Sequence, residues 1–400
     1  MSEFVEAVKM DSLFFSVGEP SGDLHAANLI GGLRRLCGNL EMRGFGGQRM
    51  RQAGCHIDFD MTSLAVVGVV EVLPKLKQFF QLADYASEVF SAAKPSGVVV
   101  VDFPGFNWHI AKRAKQAGIP VFYYLPPQMW AWGGWRVAKM RRYVDRVLCN
   151  LPFEPDWYAQ RGMTVDYVGH PFFDEISNRS LDQRFIVQWR QYDGLQVVVL
   201  PGSRWGEVHS IWPMQLAAIR ELASRHPSVR FLVAAHRDQA CLWCQRQLSP
   251  SDRKLNIEFF VGRTSELIEV ANCSLMKSGS TSLEMMARGK PSVVLYHMSL
   301  ASFALTRWMT KTKSITLPNL IAGETIIPEY LAVGTTRRTT QQVVEAMDRL
   351  LSDPDARASQ KFKLLSLASK CAQPGASLNA AAVIAEHLGL QTSTHRALAA

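Results

Sequence analysis

Two acidic segments in the first half of the chain carry residue types that suit sugar hydroxyls or proton transfer. Residues 18–23 place Glu19, Ser21 and Asp23 between an apolar run and a predicted helix, and Asp102 directly follows four consecutive valines. A carboxylate at the end of a buried strand loses solvation, which raises its pKa and suits it to act as a general base. A structural interpretation stays open for both segments, because such carboxylates also cap turns and helices.

Two segments in the second half suit a diphosphate. Residues 200–204 end in a glycine, a serine and the planar fork of Arg204, and residues 277–284 offer hydroxyls and free amides at the start of a predicted helix. Glu284, further along that helix, is placed to accept hydrogen bonds from ribose hydroxyls, although ordinary capping is the alternative for this segment. The predicted nucleotide-binding residues here are Ser203, Arg204, Glu207, Ser278, Gly279, Ser280, Thr281 and Glu284.

The elements that position these segments follow one pattern in both halves. Short apolar runs alternate with longer amphipathic stretches, which is typical of βαβ units and parallel sheets. In the first half we predict a helix at 24–36 and strands at 13–17, 97–101, 120–124 and 144–149. In the second half we predict a helix at 341–351, a helical tail from 362, and strands at 196–200, 229–234, 257–261 and 292–296.

The predicted fold class is therefore α/β, with two Rossmann-like, doubly wound domains that face a central crevice. A polar stretch at 178–183 divides the chain into domains at 1–180 and 181–364, with a last helix at about 365–400 that packs back on the first domain. Ligands bind such sheets beyond the carboxyl ends of the strands. The acidic loops then place the reacting hydroxyl and its base on the first domain, and the basic, hydroxyl-rich loops place the nucleotide on the second.

Composition narrows the functional class. The 400 residues are 48% hydrophobic and 20% charged, and no run approaches the roughly 20 apolar residues of a membrane span. The net charge of +9 calls for an anionic partner, but no nucleic-acid-binding motif is present. Seven scattered cysteines indicate a reducing cytoplasm, and the lone pair Cys241 and Cys244 fits a helix face better than a zinc site.

Two clusters combine aromatic and basic residues. Such mixtures suit a membrane interface with anionic headgroups. The equal alternative is that the aromatic residues pack in helices while the basic residues form a solvated face. The first cluster contains Trp130, Trp132, Trp135, Arg136, Lys139, Arg141 and Arg142. The second contains Phe303, Leu305, Arg307, Trp308, Met309, Lys311 and Lys313.

The ordered motifs of the chain resemble those of the lipid-A-disaccharide synthase family, bacterial inverting glycosyltransferases. In the first half the likeness rests on segments 18–23, 67–72, 102–107, 127–132, 151–154 and 169–171. In the second half it rests on 200–204 with Glu207, 278–284 and 317–320. Each motif alone is weak, but the set keeps the family's order over about residues 11–325.

The resemblance implies a defined reaction on the GT-B fold. The 6-hydroxyl of 2,3-diacylglucosamine 1-phosphate would attack the anomeric carbon of UDP-2,3-diacylglucosamine, giving a β-1,6-linked disaccharide 1-phosphate and UDP. By this likeness Asp102 is the base, Glu19 and Ser21 line the acceptor side, Arg204 neutralises the departing diphosphate, and Asn319 and Glu284 line the donor site. No metal or cofactor is implied, and the expected location is the cytoplasmic face of the inner membrane.

Departures and rival interpretations accompany this resemblance. Many relatives have an acid where this chain has Gly105, residues 133–135 are unusual, and the tail after Thr392 matches no motif. Another GT-B transferase, a UDP-sugar epimerase and a non-catalytic nucleotide-binding membrane protein are the rivals, although a binding protein has no use for a positioned base. Acyl-chain length and oligomeric state, a homodimer included, stay open.

Overall fold

The computed structural model describes residues 11–64, 76–309, 312 and 314–391. Motif 67–72, Lys311, Lys313 and the tail from Thr392 lie outside these residues. The chain divides into two compact units. The N-terminal unit runs to Asp174 and resumes at Pro374, and the C-terminal unit is Glu175–Gln373, so the division lies at 174/175 rather than at the predicted 180/181.

The N-terminal unit is built around one parallel sheet. Its described strands are β1 (Ser12–Val17), β2 (Glu41–Gly46), β3 (His56–Asp60), β4 (Gly97–Val101), β5 (Val121–Tyr124), β6 (Arg146–Cys149) and β7 (Asp166–Tyr167). Its helices are α1 (Pro20–Cys37), α2 (Gln48–Gln52), α3 (Leu76–Ala93), α4 (Pro104–Gln116), α5 (Val137–Tyr143), α6 (Glu154–Ala159), α7 (Pro171–Asn178, which runs across the division) and the returning α17 (Ala376–Leu388).

The strand order places β1 and β4 side by side at the centre of this sheet. The order is β3-β2-β1-β4-β5-β6-β7, and each strand pairs in parallel with its neighbours. Strand β4 is completely buried, and its valines have the β-branched side chains that favour a strand covered by helices on both faces. Since the strand order reverses between β1 and β4, a switch point lies beyond the carboxyl ends of these two strands.

The C-terminal unit repeats this arrangement with a second parallel sheet. Its described strands are β8 (Gln196–Leu200), β9 (Arg230–Ala235), β10 (Ile257–Val261), β11 (Cys273–Lys277), β12 (Ser292–Met298) and β13 (Glu329–Val333). Its helices are α8 (Gln183–Arg190), α9 (Trp205–Arg225), α10 (Asp238–Arg246), α11 (Thr264–Val270), α12 (Thr281–Ala287), α13 (Leu300–Met309), α14 (Leu317–Ala322), α15 (Arg337–Ser352) and α16 (Pro354–Cys371). The strand order β10-β9-β8-β11-β12-β13 reverses between β8 and β11.

The last helix of the chain belongs to the N-terminal unit. Helix α17 packs against α1, where its Ala381 lies close to Gly32. The Asp174 carboxylate accepts hydrogen bonds from the backbone amides of Gly375, Ala376 and Ser377, and so caps the start of α17. The preceding helix α16 stays with the C-terminal unit, so only the end of the predicted 365–400 segment makes this return.

Several strands were not among the predicted ones, namely β2, β3, β7, β11 and β13. Strand β2 contains glycines at 44 and 46, and Gly44 adopts φ +141° where its Cα passes close to the Phe15 backbone. Strand β7 has only two residues, and β3 and β13 are only partly buried. Such segments lack the continuous apolar run that marks a central strand. No described helix has both the length and the apolarity to cross a membrane.

Candidate active site

The two acidic segments of the first half meet at the switch point of the N-terminal sheet. Residues 18–23 follow β1, and residues 102–107 follow the adjacent β4. Gly18 lies directly against the Phe103 ring, since a Cβ added to Gly18 would be 2.2 Å from Phe103 Cδ1. Glycine is therefore required at position 18 for the two loops to touch.

The backbone that carries Asp102 is held in a strained conformation. Asp102 and Phe103 have φ values of +46° and +44°, a left-handed region that non-glycine residues rarely adopt. The buried Asn107 side chain donates hydrogen bonds to the carbonyl oxygens of Ser16, Val101 and Asp102, and its Oδ1 accepts one from the Ser16 hydroxyl. This network stabilises the strained loop and fixes it to β1.

The surroundings of Asp102 favour a carboxyl group that takes up a proton readily. Burial raises the pKa of Asp102, an effect that a hydrogen bond from the Phe103 backbone and the nearby His25 charge oppose only in part. His25 comes from α1, and the sequence interpretation did not include it. The Asp102 carbonyl also accepts a hydrogen bond from the buried Tyr123 hydroxyl at 2.9 Å. A base of raised pKa works more effectively near neutral pH than an ordinary aspartate.

We expect Gly18→Ala to reduce turnover without unfolding the protein. The added methyl group collides with the Phe103 ring and so displaces the Asp102 backbone, and displacements of about 1 Å cost about 100-fold in rate. Steady-state turnover and thermal unfolding should be measured beside Gly31→Ala, an exposed helical glycine with no other atom within 4 Å of its added Cβ. Equal turnover in both variants would show that the Gly18–Phe103 contact does not position Asp102.

The remaining polar residues of segment 18–23 differ in exposure and in role. Glu19 is partly buried at the N-terminal boundary of α1, and Ser21 is exposed in its first turn. Asp23 has a structural role, because its buried carboxylate accepts hydrogen bonds from the amides of Gly47, Arg49 and Met50 and so holds the start of α2. The switch point thus brings Glu19, Ser21 and Asp102 to the same edge of the sheet.

The predicted nucleotide loops meet in one pocket of the C-terminal unit, at the switch point after β8 and β11. Its lining includes most of the predicted residues: Ser203, Arg204, Glu207, Ser278, Gly279, Ser280 and Thr281. Leu200, Gly202 and Lys277, from the predicted segments 200–204 and 277–284, also line it, together with three residues for which the sequence interpretation proposed no role: Ala234, His236 and Thr264. Lys277 ends β11 directly before the predicted hydroxyl-rich loop, so its position at a strand exit was the available signal.

Glu207 organises this pocket from within. Its carboxylate accepts hydrogen bonds from Lys277 Nζ at 2.8 Å and from the amides of Ser203 and Arg204, and it pairs with the Arg204 guanidinium at 3.3 Å. Burial raises the pKa of Glu207, but the hydrogen bond and charge of Lys277, with Arg204, outweigh that effect and hold it below its ordinary value. Gly202, at φ +121°, leaves room for the Glu207 side chain. The carboxylate therefore positions the two cations and also lines the pocket, and its contact with a ligand stays a prediction.

Two other predicted donor-site residues are held in internal hydrogen bonds, and their direct contact with a ligand stays a prediction. Glu284 accepts a hydrogen bond from Arg288 Nε at 3.0 Å. Asn319 donates to the Ile327 carbonyl and accepts from the amides of Ile326 and Ile327. Both side chains are almost fully buried and neither lines the pocket, so they support the loops that do.

Positive charge on the pocket wall comes from side chains more than from a helix dipole. Helix α12 has only seven residues, and the dipole effect fades within the first turn. Arg204 and Lys277 outnumber the single lining carboxylate, Glu207. The described residues contain no group of three or more histidine, cysteine, aspartate or glutamate side chains arranged to hold a metal ion.

The relatives of this chain identify its family. The lipid-A-disaccharide synthetase family model matches residues 13–382. A lipid-A-disaccharide synthase of Anaeromyxobacter dehalogenans is 33% identical over 373 residues, which cover 93% of this chain and 96% of the relative. The chain belongs to the lipid-A-disaccharide synthase family. The family's enzyme from Syntrophus aciditrophicus is likewise 33% identical over 365 residues, covering 91% and 94% of the two chains. As a member of this family, the protein is a glycosyltransferase of lipid A synthesis.

Solved structures at lower identity confirm the predicted fold class. A co-structure of MnaA with UDP from S. aureus has a TM-score of 0.66 at 15% identity and covers 95% of this chain and 98% of that one. The calicheamicin glycosyltransferase CalG4 has a TM-score of 0.59 at 14% identity and covers 95% and 98%. Both likenesses show the fold of two parallel-sheet, Rossmann-like domains.

Proposed function

We propose that this family member joins UDP-2,3-diacylglucosamine to 2,3-diacylglucosamine 1-phosphate, with UDP as the leaving group. The observation that carries the proposal is the pair of switch points, one with a desolvated carboxylate and one with two cations. A glycosyl transfer needs both, because a proton must leave the acceptor hydroxyl and negative charge must develop on the departing diphosphate.

The acceptor reacts at the switch point of the N-terminal unit in this proposal. The Asp102 carboxylate takes the proton of the 6-hydroxyl as its oxygen attacks the anomeric carbon of the donor. Glu19 and Ser21, at the exit of the adjacent β1, hydrogen-bond to acceptor hydroxyls. A single displacement inverts the anomeric centre and gives the β-1,6 linkage.

The donor's diphosphate binds in the pocket of the C-terminal unit. Arg204 provides a planar fork for phosphate oxygens, Lys277 adds a second positive charge, and the loop of Ser278, Gly279, Ser280 and Thr281 supplies amides and hydroxyls. As the bond from the anomeric carbon to the diphosphate oxygen breaks, its electrons stay on UDP, where these cations stabilise them. The proposed reaction is metal-independent because these side chains supply the necessary charge.

Product analysis tests this reaction. Purified protein should convert the two substrates in detergent to UDP and a disaccharide 1-phosphate detected by mass spectrometry, with the linkage assigned by NMR. Omission of either substrate should abolish UDP release, and a chelator should leave the rate unchanged. UDP binding without any disaccharide would contradict the proposed acceptor, and isomerised UDP-sugar without an acceptor would favour an epimerase.

We also propose that the first aromatic and basic cluster docks the N-terminal unit on an anionic inner-membrane surface. Trp135 is 72% exposed at a turn that Gly133 forms with φ +70°. Lys139 lies 5.9 Å from the Trp135 ring centroid, so cation and ring face the same region. Arg136, predicted to be part of the basic surface, is instead buried over the Trp132 ring, and donates to the carbonyl oxygens of Trp132 and Gly133.

Trp135→Ser should weaken binding to vesicles that contain an anionic phospholipid, by about tenfold, because an exposed indole contributes apolar contact at the interface. Vesicle co-sedimentation measures the change. Phe362→Ser is the matched control, since Phe362 is 73% exposed on α16 of the other unit. Equal loss in both variants, or equal binding of the unaltered protein to neutral vesicles, would contradict docking through this cluster.

A further inference from the structure

An apolar cavity of about 200 Å³ opens beside the Asp102 loop in the N-terminal unit. Its wall is made by Leu76, Phe79 and Phe80 from α3 and by Phe103 and Phe106 from the loop and first turn that follow β4. The rings form a continuous surface, with the Phe79 centroid 6.0 Å from that of Phe103 and 5.5 Å from that of Phe106. Phe103 directly follows Asp102, so the cavity begins one residue from the proposed base.

The cavity does not suit a charged ligand, although the polar side chain of His109 is part of its lining. His109 makes an edge contact with the Phe80 ring, with 5.8 Å between centroids. Burial lowers the pKa of His109, and the charges of Arg113, Lys139 and Lys112 lower it further, so the imidazole is neutral at neutral pH. The lining residues that the structure describes therefore carry no formal charge, while Phe80 leaves 51% of its surface exposed. A hydrocarbon chain is the ligand class that such a wall favours.

Gly105 keeps one side of this cavity open. It lies in the first turn of α4, and a Cβ added there would have no atom of the described part of the chain within 4 Å. Its φ is not in the left-handed region, so neither backbone geometry nor close packing requires glycine. The missing side chain has one visible consequence, which is additional space in the cavity.

We propose that this cavity binds part of an acyl chain of the acceptor sugar, and that Gly105 helps to set the chain length that the enzyme accepts. This inference rests on the proposed function, which places the acceptor's 6-hydroxyl at Asp102. A chain that leaves the sugar ring beside Asp102 meets Phe103 first and then the Phe79 and Phe106 rings. Covering Phe80 and Leu76 removes their exposed apolar surface from water, which favours binding without any polar contact.

Two substitutions change the cavity in opposite directions. Gly105→Leu fills it from a position where an added Cβ has no described neighbour within 4 Å, so the fold should be kept. Phe80→Ala enlarges it by removing a half-exposed ring. Gly31→Leu is the matched control, because Gly31 also has free space around its Cβ but lies on α1 and does not line the cavity.

The test measures kcat/KM and equilibrium binding for acceptors whose acyl chains lengthen in two-carbon steps, at a fixed detergent mole fraction. Gly105→Leu should lower kcat/KM and affinity for the longest chains by about tenfold or more and change the shortest much less, because one methylene changes recognition in an apolar pocket by about tenfold or more. Phe80→Ala should shift the preference towards longer chains. Gly31→Leu should follow the unaltered protein at every length.

The outcomes separate this inference from the proposed reaction. If the unaltered protein makes disaccharide but Gly105→Leu keeps its chain-length profile, the acyl-chain site is wrong and the reaction stands. If no disaccharide forms but Gly105→Leu still changes acceptor binding according to chain length, the site stands and the proposed reaction is wrong. If neither turnover nor chain-dependent binding is observed, both are wrong.

Discussion

Asp102→Asn is expected to lower kcat by about 100-fold to 10,000-fold, the usual contribution of a general base. The amide keeps the size of the carboxylate but accepts no proton from the acceptor hydroxyl. The hydrogen bonds that hold this loop involve the Asp102 carbonyl and the Asn107 side chain, so they should survive the substitution. UDP affinity should stay within about twofold, because Asp102 does not line the pocket of the C-terminal unit.

The pH dependence of the reaction provides a second measurement on Asp102. A base acts only after it has lost its proton, and burial raises the pKa of Asp102 above the usual value of about 3.9. The value of kcat/KM should therefore rise with pH through that raised pKa and fall on the acid side of it. Asp102→Asn should lose this acid limb. Asp84→Asn is the control, because Asp84 is an exposed partner of Arg113. Turnover of Asp102→Asn within about threefold of the unaltered protein would contradict a general-base role.

Arg204→Ala is expected to weaken UDP binding by about 10-fold to 100-fold, the value of a charge-assisted hydrogen bond to phosphate. The side chain is 64% exposed and pairs with Glu207 at 3.3 Å, so little folding stability depends on it and it is free to turn towards a ligand. The loss in kcat/KM should exceed the loss in UDP affinity, since negative charge on the diphosphate grows as the glycosidic bond breaks.

Substitution of Arg204 by lysine separates the contribution of its planar fork from that of its charge, and a variant of the nearby Arg237 is the control. Arg204→Lys keeps the charge but loses bidentate contact, so it should recover only part of the affinity. Arg237→Ala removes an exposed cation that follows His236 in the sequence. Arg237 itself does not line the pocket, so the UDP affinity of this variant should be normal. Titration calorimetry with UDP gives these values directly. An unchanged dissociation constant for Arg204→Ala would remove Arg204 from the diphosphate site.

The sequence predicted strands best where their apolar runs are nearly continuous, and it missed the central strand β11, which contains Ser274 and ends at Lys277. The central strands β4 and β8 begin and end at the predicted residues, and so does the partly buried edge strand β10. It also placed the chemical segments after strands, and two strand-order reversals bring those segments together in pairs. Strand order depends on which chain crossovers pack best, and short-range periodicity carries no record of it. The edge strand β3 escaped prediction because Asp58 and Asp60 interrupt its apolar residues.

Residue roles were harder to predict than residue positions. Asp23, Glu207, Glu284 and Asn319 all lie in motif segments, and each side chain is used for internal hydrogen bonds or ion pairs. A sequence gives the type of a polar residue but not its partner, and that partner comes from a distant element in several of these cases. For example, Lys277 meets Glu207 only because β11 lies beside β8. Gly105 shows the reverse case, since a residue without a side chain becomes informative only when the space around it is visible.

Hydrogen–deuterium exchange with and without UDP tests whether the nucleotide binds at the switch point of the C-terminal unit, with the base on the other unit. UDP should slow exchange in peptides that cover 200–207 and 277–284, while peptides that cover 18–23 and 102–107 should keep their exchange rates. Protection of 18–23 and 102–107 by UDP, without protection of 200–207 and 277–284, would contradict this division of roles.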